Sequence, residues 1–316
     1  MDMQGKHVVI TGPTAGIGRS AALKLAGLEA VLTLLCRNPQ KAEAVKKEVV
    51  AAGGKDVNVV ALDMASLASV REAAHDCLEL GRPIDVLLNN AGLMNTRRRV
   101  SADGYEETLA VNHFAPFLLT GLLLPALQQA PRARIVNVAS AAHAFVRGMN
   151  FDDMQAEKNY KAFREYGRSK LANILFTRSL AQRLAGQPIT VNALHPGAVA
   201  TSLGQQNEGF LKSIAPAIMK IFFRSPDQGA ETSLYLCTSD DVADVSGDSP
   251  TVKRCARVPG HVTMPRPPGS GVTRKSVRVS PIRCDTRKIF NMDRAQRTPA
   301  GAAKTMRPNC PCREGR

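Results

Sequence analysis

The stretch that most restricts what this chain can fold into is Thr11-Gly12-Pro13-Thr14-Ala15-Gly16-Ile17-Gly18, near the N-terminus. The run His7-Val8-Val9-Ile10 enters it, and a helical pattern from Arg19 to Leu28 leaves it. A strand that feeds a glycine-rich turn and then a helix is a phosphate cradle. Glycine has no Cβ, so the backbone can bend sharply and an anion can come close. The free N–H groups and the positive end of the new helix then face that anion. The spacing is Gly-x-x-x-Gly-x-Gly, not the Gly-x-Gly-x-x-Gly of the general dinucleotide fingerprint. An ordinary turn would need these glycines for geometry alone; the strand–turn–helix context favours a nucleotide site.

Strand-like runs and helical patterns then alternate. Residues 30–35 read as a buried strand ending at Cys36-Arg37-Asn38, and Pro39 opens a helix to residue 50, stopped by Gly53-Gly54. Residues 57–62 are a third strand, ending at Asp63, and Ser66 caps a helix to about residue 80. Residues 84–88 are a fourth strand, ending at Asn89-Asn90-Ala91-Gly92. Residues 104–129 read as an apolar helix holding Asn112, and 134–139 as a fifth strand ending at Ser140. Residues 146–161 show no firm pattern. A long helix over 162–184 carries Tyr166 and Lys170, and a sixth strand over 189–194 ends at His195-Pro196-Gly197. A short apolar helix is expected over 210–223, and Pro226 opens a last one to about residue 237. This alternation predicts an α/β fold, a doubly wound parallel sheet with helices on both faces. Ligands of such sheets sit outside the carboxyl ends of the strands, where Arg37, Asp63 and Asn90 fall.

The net charge of +15 over 316 residues suggests a nucleic-acid binder until it is located. Residues 248–316 hold 16 Lys and Arg against 4 Asp and Glu, a net +12, which leaves +3 for residues 1–247. Leu is absent beyond residue 247, and proline numbers 9 there, as many as Val, Ile and Phe together. So few large apolar side chains cannot offset the entropy of ordering. The expectation is a single domain over 1–247 and a disordered basic tail over 248–316. Cys36, Cys77 and Cys237 lie in apolar surroundings and read as reduced, buried thiols. The tail cysteines 255, 284, 310 and 312 match no zinc spacing, and no metal is expected. The N-terminus lacks the form of a signal peptide. No run reaches the roughly 18 apolar residues of a transmembrane span, so a cytoplasmic protein is expected.

Tyr166 and Lys170, four apart, share one helical face. Such a pair means little alone. Here it follows a glycine turn, an Asp-ended third strand, an Asn-Asn-Ala-Gly fourth strand and a Ser-ended fifth strand. In that order the sequence resembles the short-chain dehydrogenase/reductase family over about residues 4–247. The residues are Thr11-Gly12-x-x-x-Gly16-Ile17-Gly18, Asp63, Asn89-Asn90-Ala91-Gly92, Asn112, Ser140, Tyr166-Gly167-Arg168-Ser169-Lys170 and Pro196-Gly197. Val111-Asn112-His113-Phe114, Ser169-Lys170-Leu171-Ala172-Asn173 and Asn192-Ala193-Leu194-His195-Pro196-Gly197 resemble the retinol dehydrogenase and WW-domain oxidoreductase branch.

The resemblance implies a Rossmann-type fold and hydride transfer between a nicotinamide cofactor and an alcohol/carbonyl pair. Tyr166 would be the acid/base. A free tyrosine titrates near 10, and the Lys170 ammonium would draw it toward working pH. Ser140 would donate to the oxygen where charge develops, and Asn112 would hold a relay water with Lys170. The resemblance carries over as cofactor contacts Thr11, Gly12, Thr14, Gly16, Ile17, Gly18, Asn38, Met64, Asn90, Ala91, Gly92, Tyr166, Lys170, Pro196, Gly197, Val199 and Thr201, with Asp63 at the adenine. Ser140 could equally be a cap, and Asn112 a satisfied polar residue within a helix. A hydrolase triad of Ser140 with His143 or His195 lacks a Gly-x-Ser-x-Gly elbow. Thr96-Arg97-Arg98-Arg99 reads as a solvated loop.

At the end of the second strand an acidic residue would accept from a ribose 2′-OH. Cys36 and Arg37 stand there instead, and a guanidinium suits a 2′-phosphate. NADP(H) is therefore expected over NAD(H), with Arg37 as its reader and Arg19 as an assistant. The substrate would be a small hydrophobic alcohol or carbonyl, under an apolar segment at 198–224. Family members continue after Ser246-Gly247 with an aromatic strand; here Asp248-Ser249-Pro250 follows, which reads either as a reading-frame change near codon 248 or as a genuine divergent extension. A homo-oligomer, the family habit, is put in doubt by that change. The alternatives are a non-catalytic member that binds cofactor or a partner, and a nucleic-acid binder acting through the tail, which has one aromatic, Phe290, and no recognisable module.

Overall fold

The computed structural model describes residues 2–197 and 225–247. The expected helix at 210–223, the tail at 248–316, and Val199 and Thr201 lie outside the described residues. Six strands, β1 (His7–Thr11), β2 (Val31–Cys36), β3 (Val57–Ala61), β4 (Val86–Asn89), β5 (Ala133–Val138) and β6 (Ile189–Leu194), form one parallel sheet in the order β3-β2-β1-β4-β5-β6. The order reverses between β1 and β4, and such a crevice is where ligands of doubly wound sheets bind.

Strand side chains alternate in direction. Val8, Ile10, Leu32, Leu34, Val86 and Leu88 enter one core, with α1 (Gly16–Gly27), α2 (Pro39–Ala51) and the last helix. Val9, Leu35, Leu87, Ile135 and Val191 enter the other, with α3 (Leu67–Glu79) and α4 (Glu107–Gln129). The helices α5 (Ala162–Arg183) and α6 (Pro226–Thr238) complete the described set. Helix starts follow their caps. Asn38 accepts from Lys41 N at α2, Ser66 from Ser69 N at α3, and Ser225 makes a capping box with Gln228 at α6. Arg134, 3% exposed, serves the other end of α6: its Nη1 donates to Leu236 O and Ser239 O.

Most boundaries fall within one or two residues of the sequence expectation, and three departures have a physical reason. The first helix begins at Gly16 rather than Arg19, because the glycines of the cradle are themselves its first turn. The fourth strand runs one residue further, to Asn89, whose amide is held inside the fold by Thr120 Oγ1 and Asn137 Oδ1. The expected helix over 104–129 starts at Glu107, where both Glu106 carboxylate oxygens accept, from Thr108 N and Leu109 N. That helix is also not uniform. Ala110–Phe114 is a π turn, in which the Ala115 N–H reaches back to Ala110 O. Helix α4 is long and apolar enough to cross a bilayer, which the composition reading did not anticipate, but Leu119, Leu123 and Leu127 on it are fully buried in the core.

Candidate active site

The turn between β1 and α1 is bent by Gly12 (φ +66°) and Gly16 (φ +55°), both in the left-handed region that favours glycine. At Gly18 a Cβ would collide with Gly12 O and Asn90 Nδ2. Asn90 braces the turn. Its Nδ2 donates to Thr11 O (3.0 Å) and Gly12 O (3.2 Å), while the backbone N–H groups of Asn90 and Ala91 donate to Thr11 Oγ1 at 2.9 and 3.0 Å. Unlike α2, α3 and α6, α1 has no side-chain cap, and its first turn, like those of α2 and α3, carries no acidic residue. Its amide ends, beside Thr14, Gly16 and the buried Ile17, are left for an anion. The residues fit a nucleotide diphosphate on this ground.

Beyond the cradle, Arg37 is exposed at the end of β2, with Nη1 4.0 Å from Asp63 Oδ1. At 69% and 44% side-chain exposure this pair holds Arg37 only weakly. Asn38 is occupied as the α2 cap, and Asp63 Oδ1 accepts from Ala65 N. Met64 is buried. Arg19 pairs with Glu48 at 2.5 Å, so it is already engaged. Arg98, expected in a solvated loop, instead donates to Gln155 O at 2.9 Å and pairs with Glu157; Arg97 and Arg99 are exposed.

The remaining candidates converge at the carboxyl ends of β4 and β5. Lys170 Nζ donates to Val138 O at 2.8 Å and lies 5.7 Å from the centre of the Tyr166 ring. A Cβ on Gly92 would stand 3.3 Å from Lys170 Nζ and 3.2 Å from Asn112 Oδ1, so these two groups flank one point. Asn112 Oδ1 accepts from Leu93 N (2.8 Å), and its Nδ2 donates to Leu93 O and Ser169 Oγ (both 2.9 Å). Ser140 caps the 3-10 turn Ala141–Phe145 through Ala142 N, and its hydroxyl acts on the Tyr166 phenol, favouring the ionised form. Helix α5 can come this close to the turn because Gly167 faces Ala142 O, at 2.7 Å from where a Cβ would be. Gly197, at φ +84°, donates to His195 Nδ1, with Pro196 between them. His143 takes the Ser140 carbonyl at 2.6 Å, not its hydroxyl.

Burial dominates the electrostatics here. It raises the Tyr166 phenol above its ordinary value, with Ser140 pulling the other way, and it pushes the Lys170 ammonium down to about 8. The expected lowering of Tyr166 by Lys170 is therefore outweighed, because the ring is desolvated and the ammonium is turned to Val138 O. The three described cysteines, Cys36, Cys77 and Cys237, are buried and free.

Sequence reasoning missed a polar seam beneath the cluster. Thr177 Oγ1 donates to Asn173 O, Asn137 Nδ2 to Thr177 Oγ1, and Asn173 Nδ2 to Asn112 O. Ser169, Asn173 and Thr177 recur every four residues along the inner side of α5. That spacing was the available signal, since a buried helix face is rarely polar without purpose.

Comparison with known proteins bears on most of the chain. The short chain dehydrogenase family model matches residues 6–210. The chain is 42% identical over 258 residues to mouse retinol dehydrogenase 14, covering 78% of this chain and 77% of that protein. It is 40% identical over 250 residues to human retinol dehydrogenase 13, covering 77% and 75%. Among solved structures, one with NADP bound at low occupancy, of a Beutenbergia cavernae protein described as an NAD(P)-dependent gluconate 5-dehydrogenase, aligns with a TM-score of 0.62 at 27% identity. It covers 78% of this chain and 95% of that one.

Proposed function

The chain belongs to the short chain dehydrogenase family, and from that premise we propose that it is an NADP(H)-dependent oxidoreductase that interconverts a hydrophobic alcohol and its carbonyl, with Tyr166 as acid/base. The observation that carries this reading is the convergence of Tyr166, Lys170, Asn112 and Ser140 beside a braced, uncapped helix start.

A bound nicotinamide supplies or accepts the hydride; the chain's own residues do the rest. The α1 amide ends and the glycine turn would hold the diphosphate, and Arg37 the 2′-phosphate. Retinol dehydrogenases 14 and 13 are named for retinol, an apolar alcohol, which supports a substrate of that class. The structure with NADP gives a precedent for the phosphorylated cofactor on this fold. In reduction Tyr166 donates its phenolic proton to the substrate oxygen. A raised pKa keeps that proton on the ring at neutral pH. Ser140 would donate to the same oxygen as negative charge grows on it. Lys170, close to the ring, would stabilise the phenolate left behind.

The test uses the full-length chain with all-trans-retinaldehyde. NADPH consumption with a preference over NADH, and formation of retinol, are the expected results. Binding of neither cofactor would sink the reading. Tight cofactor binding with no turnover of retinaldehyde or of a panel of aliphatic and aromatic aldehydes would replace it with a non-catalytic member of the family.

A further inference from the structure

We propose that Asn173 and His113 are positioning residues of this centre, supplying the hydrogen bond that Pro116 removes from the main chain at Asn112. The proposal rests on the reading of Asn112 as part of the reactive cluster.

In a regular α-helix the Asn112 carbonyl would accept from the N–H of residue 116. Residue 116 is proline and has none. The preceding turn is already widened to the π form, and π turns favour functional sites. A buried carbonyl that loses its donor is destabilising unless another takes its place. The replacement comes from α5, where Asn173 Nδ2 donates to Asn112 O at 2.9 Å.

With its nitrogen so committed, Asn173 presents Oδ1 to His113 Nδ1 at 3.1 Å. An amide oxygen can only accept, so His113 must donate from Nδ1. The ring is 6% exposed and set among Phe114, Phe117 and Phe176, with centroids 5.6 to 6.2 Å away. His113 thus fixes which way the Asn173 amide faces, and Asn173 fixes the π turn. The consequence reaches the site directly. The Asn112 side chain is latched to both polar groups of Leu93 and to Ser169, and its Oδ1 shares with Lys170 Nζ the tight space beside Gly92. A main-chain shift at residue 112 therefore moves the amide relative to Lys170.

The decisive experiment is a double-mutant cycle on the full-length chain with Asn173→Ala and Pro116→Ala, alone and combined. One readout is the urea midpoint without cofactor or substrate; the other is kcat and KM for retinaldehyde with NADPH. Asn173→Ala is expected to lower kcat by about tenfold or more while both KM values move less than about threefold, and to lower the urea midpoint. With Pro116→Ala, residue 116 regains its N–H, and both losses should shrink to less than about half on a logarithmic scale. Equal losses in the two backgrounds, or a loss confined to KM, would overturn the proposal. If the wild-type chain turns over neither retinaldehyde nor the aldehyde panel, the proposed function fails, while the urea cycle still decides this point. Should Asn173→Ala not fold, His113→Leu is compared with His113→Gln, whose amide can still donate. A drop in kcat at least about fivefold larger for leucine supports the assignment, and equal drops refute it.

Discussion

The Lys170 ammonium stands 5.7 Å from the centre of the Tyr166 ring, and its hydrogen bond goes to Val138 O instead. Both groups are desolvated, which lifts the phenol and lowers the ammonium to about 8. Near neutral pH the pair is therefore a neutral tyrosine beside a mostly protonated lysine, the state that suits proton donation. Carbonyl reduction should hold steady through neutrality and decline as pH rises through about 8, where Lys170 loses its proton. Initial rates measured across that window at saturating NADPH check this, and a rate that climbs there would contradict it.

Tyr166→Phe removes the proton donor without changing the ring. The reduction rate should drop by about a hundredfold to ten-thousandfold, while cofactor binding measured by titration calorimetry stays within about threefold. Ser140→Ala should act in the same direction, with an added cost in stability because Ser140 also caps the turn at Ala142.

Arg37→Asp places a carboxylate where a 2′-phosphate would lie and sets it against Asp63, whose Oδ1 is 4.0 Å from Arg37 Nη1 in the native chain. The ratio of kcat/KM for NADPH over NADH should fall by about tenfold or more, which is the loss of one charged contact of about 1.4 kcal/mol. An unchanged ratio would show that the 2′-phosphate is read elsewhere.

Gly18→Ala drives a methyl group into Gly12 O and the Asn90 amide. The first belongs to the turn and the second braces it from the end of β4, so relief requires the turn to open. Cofactor affinity should fall by more than about tenfold, and the melting temperature should drop with it, since overpacking costs about 1–3 kcal/mol. Calorimetry and a thermal melt of the same sample separate the two effects.

His113 is held by burial at about 4, below its ordinary 6.5. The folded value is depressed, so the stability tied to the neutral ring is whole above pH 6.5 and is lost as pH falls through about 4. The two values correspond to about 3 kcal/mol. His113→Gln should flatten the dependence of the urea midpoint on pH across that window. A wild-type slope left intact would mean that the ring titrates freely.

The order of strands and helices was legible because parallel strands buried on both sides are continuous apolar runs, and helices between them carry polar faces and caps. Arg37, Asp63 and Asn90 could be placed at strand ends for the same reason. The start of α1 was not legible, since Gly16 and Gly18 are poor helix formers, and the close approach of Gly12 O and the Asn90 amide that requires glycine at 18 is a contact across the fold. The π turn was hidden inside a stretch that is apolar all round, where no periodicity marks a change of pitch. Pro116 was its one local sign. The Asn173 amide could be quoted in a motif but not given a task, because its partner lies 61 residues away. The shift of Tyr166 was misjudged because a sequence shows a neighbouring lysine but not how deeply a ring is buried.

The stitch between the turn and β4 has an experimental use of its own. The Asn90 and Ala91 amide protons both end on the hydroxyl of Thr11, a residue with no solvent exposure. They can exchange with deuterium only when the ends of β1 and β4 separate. Two adjacent peptide signals thus time the opening of the crevice in the chain as it stands, with no substitution and no ligand added.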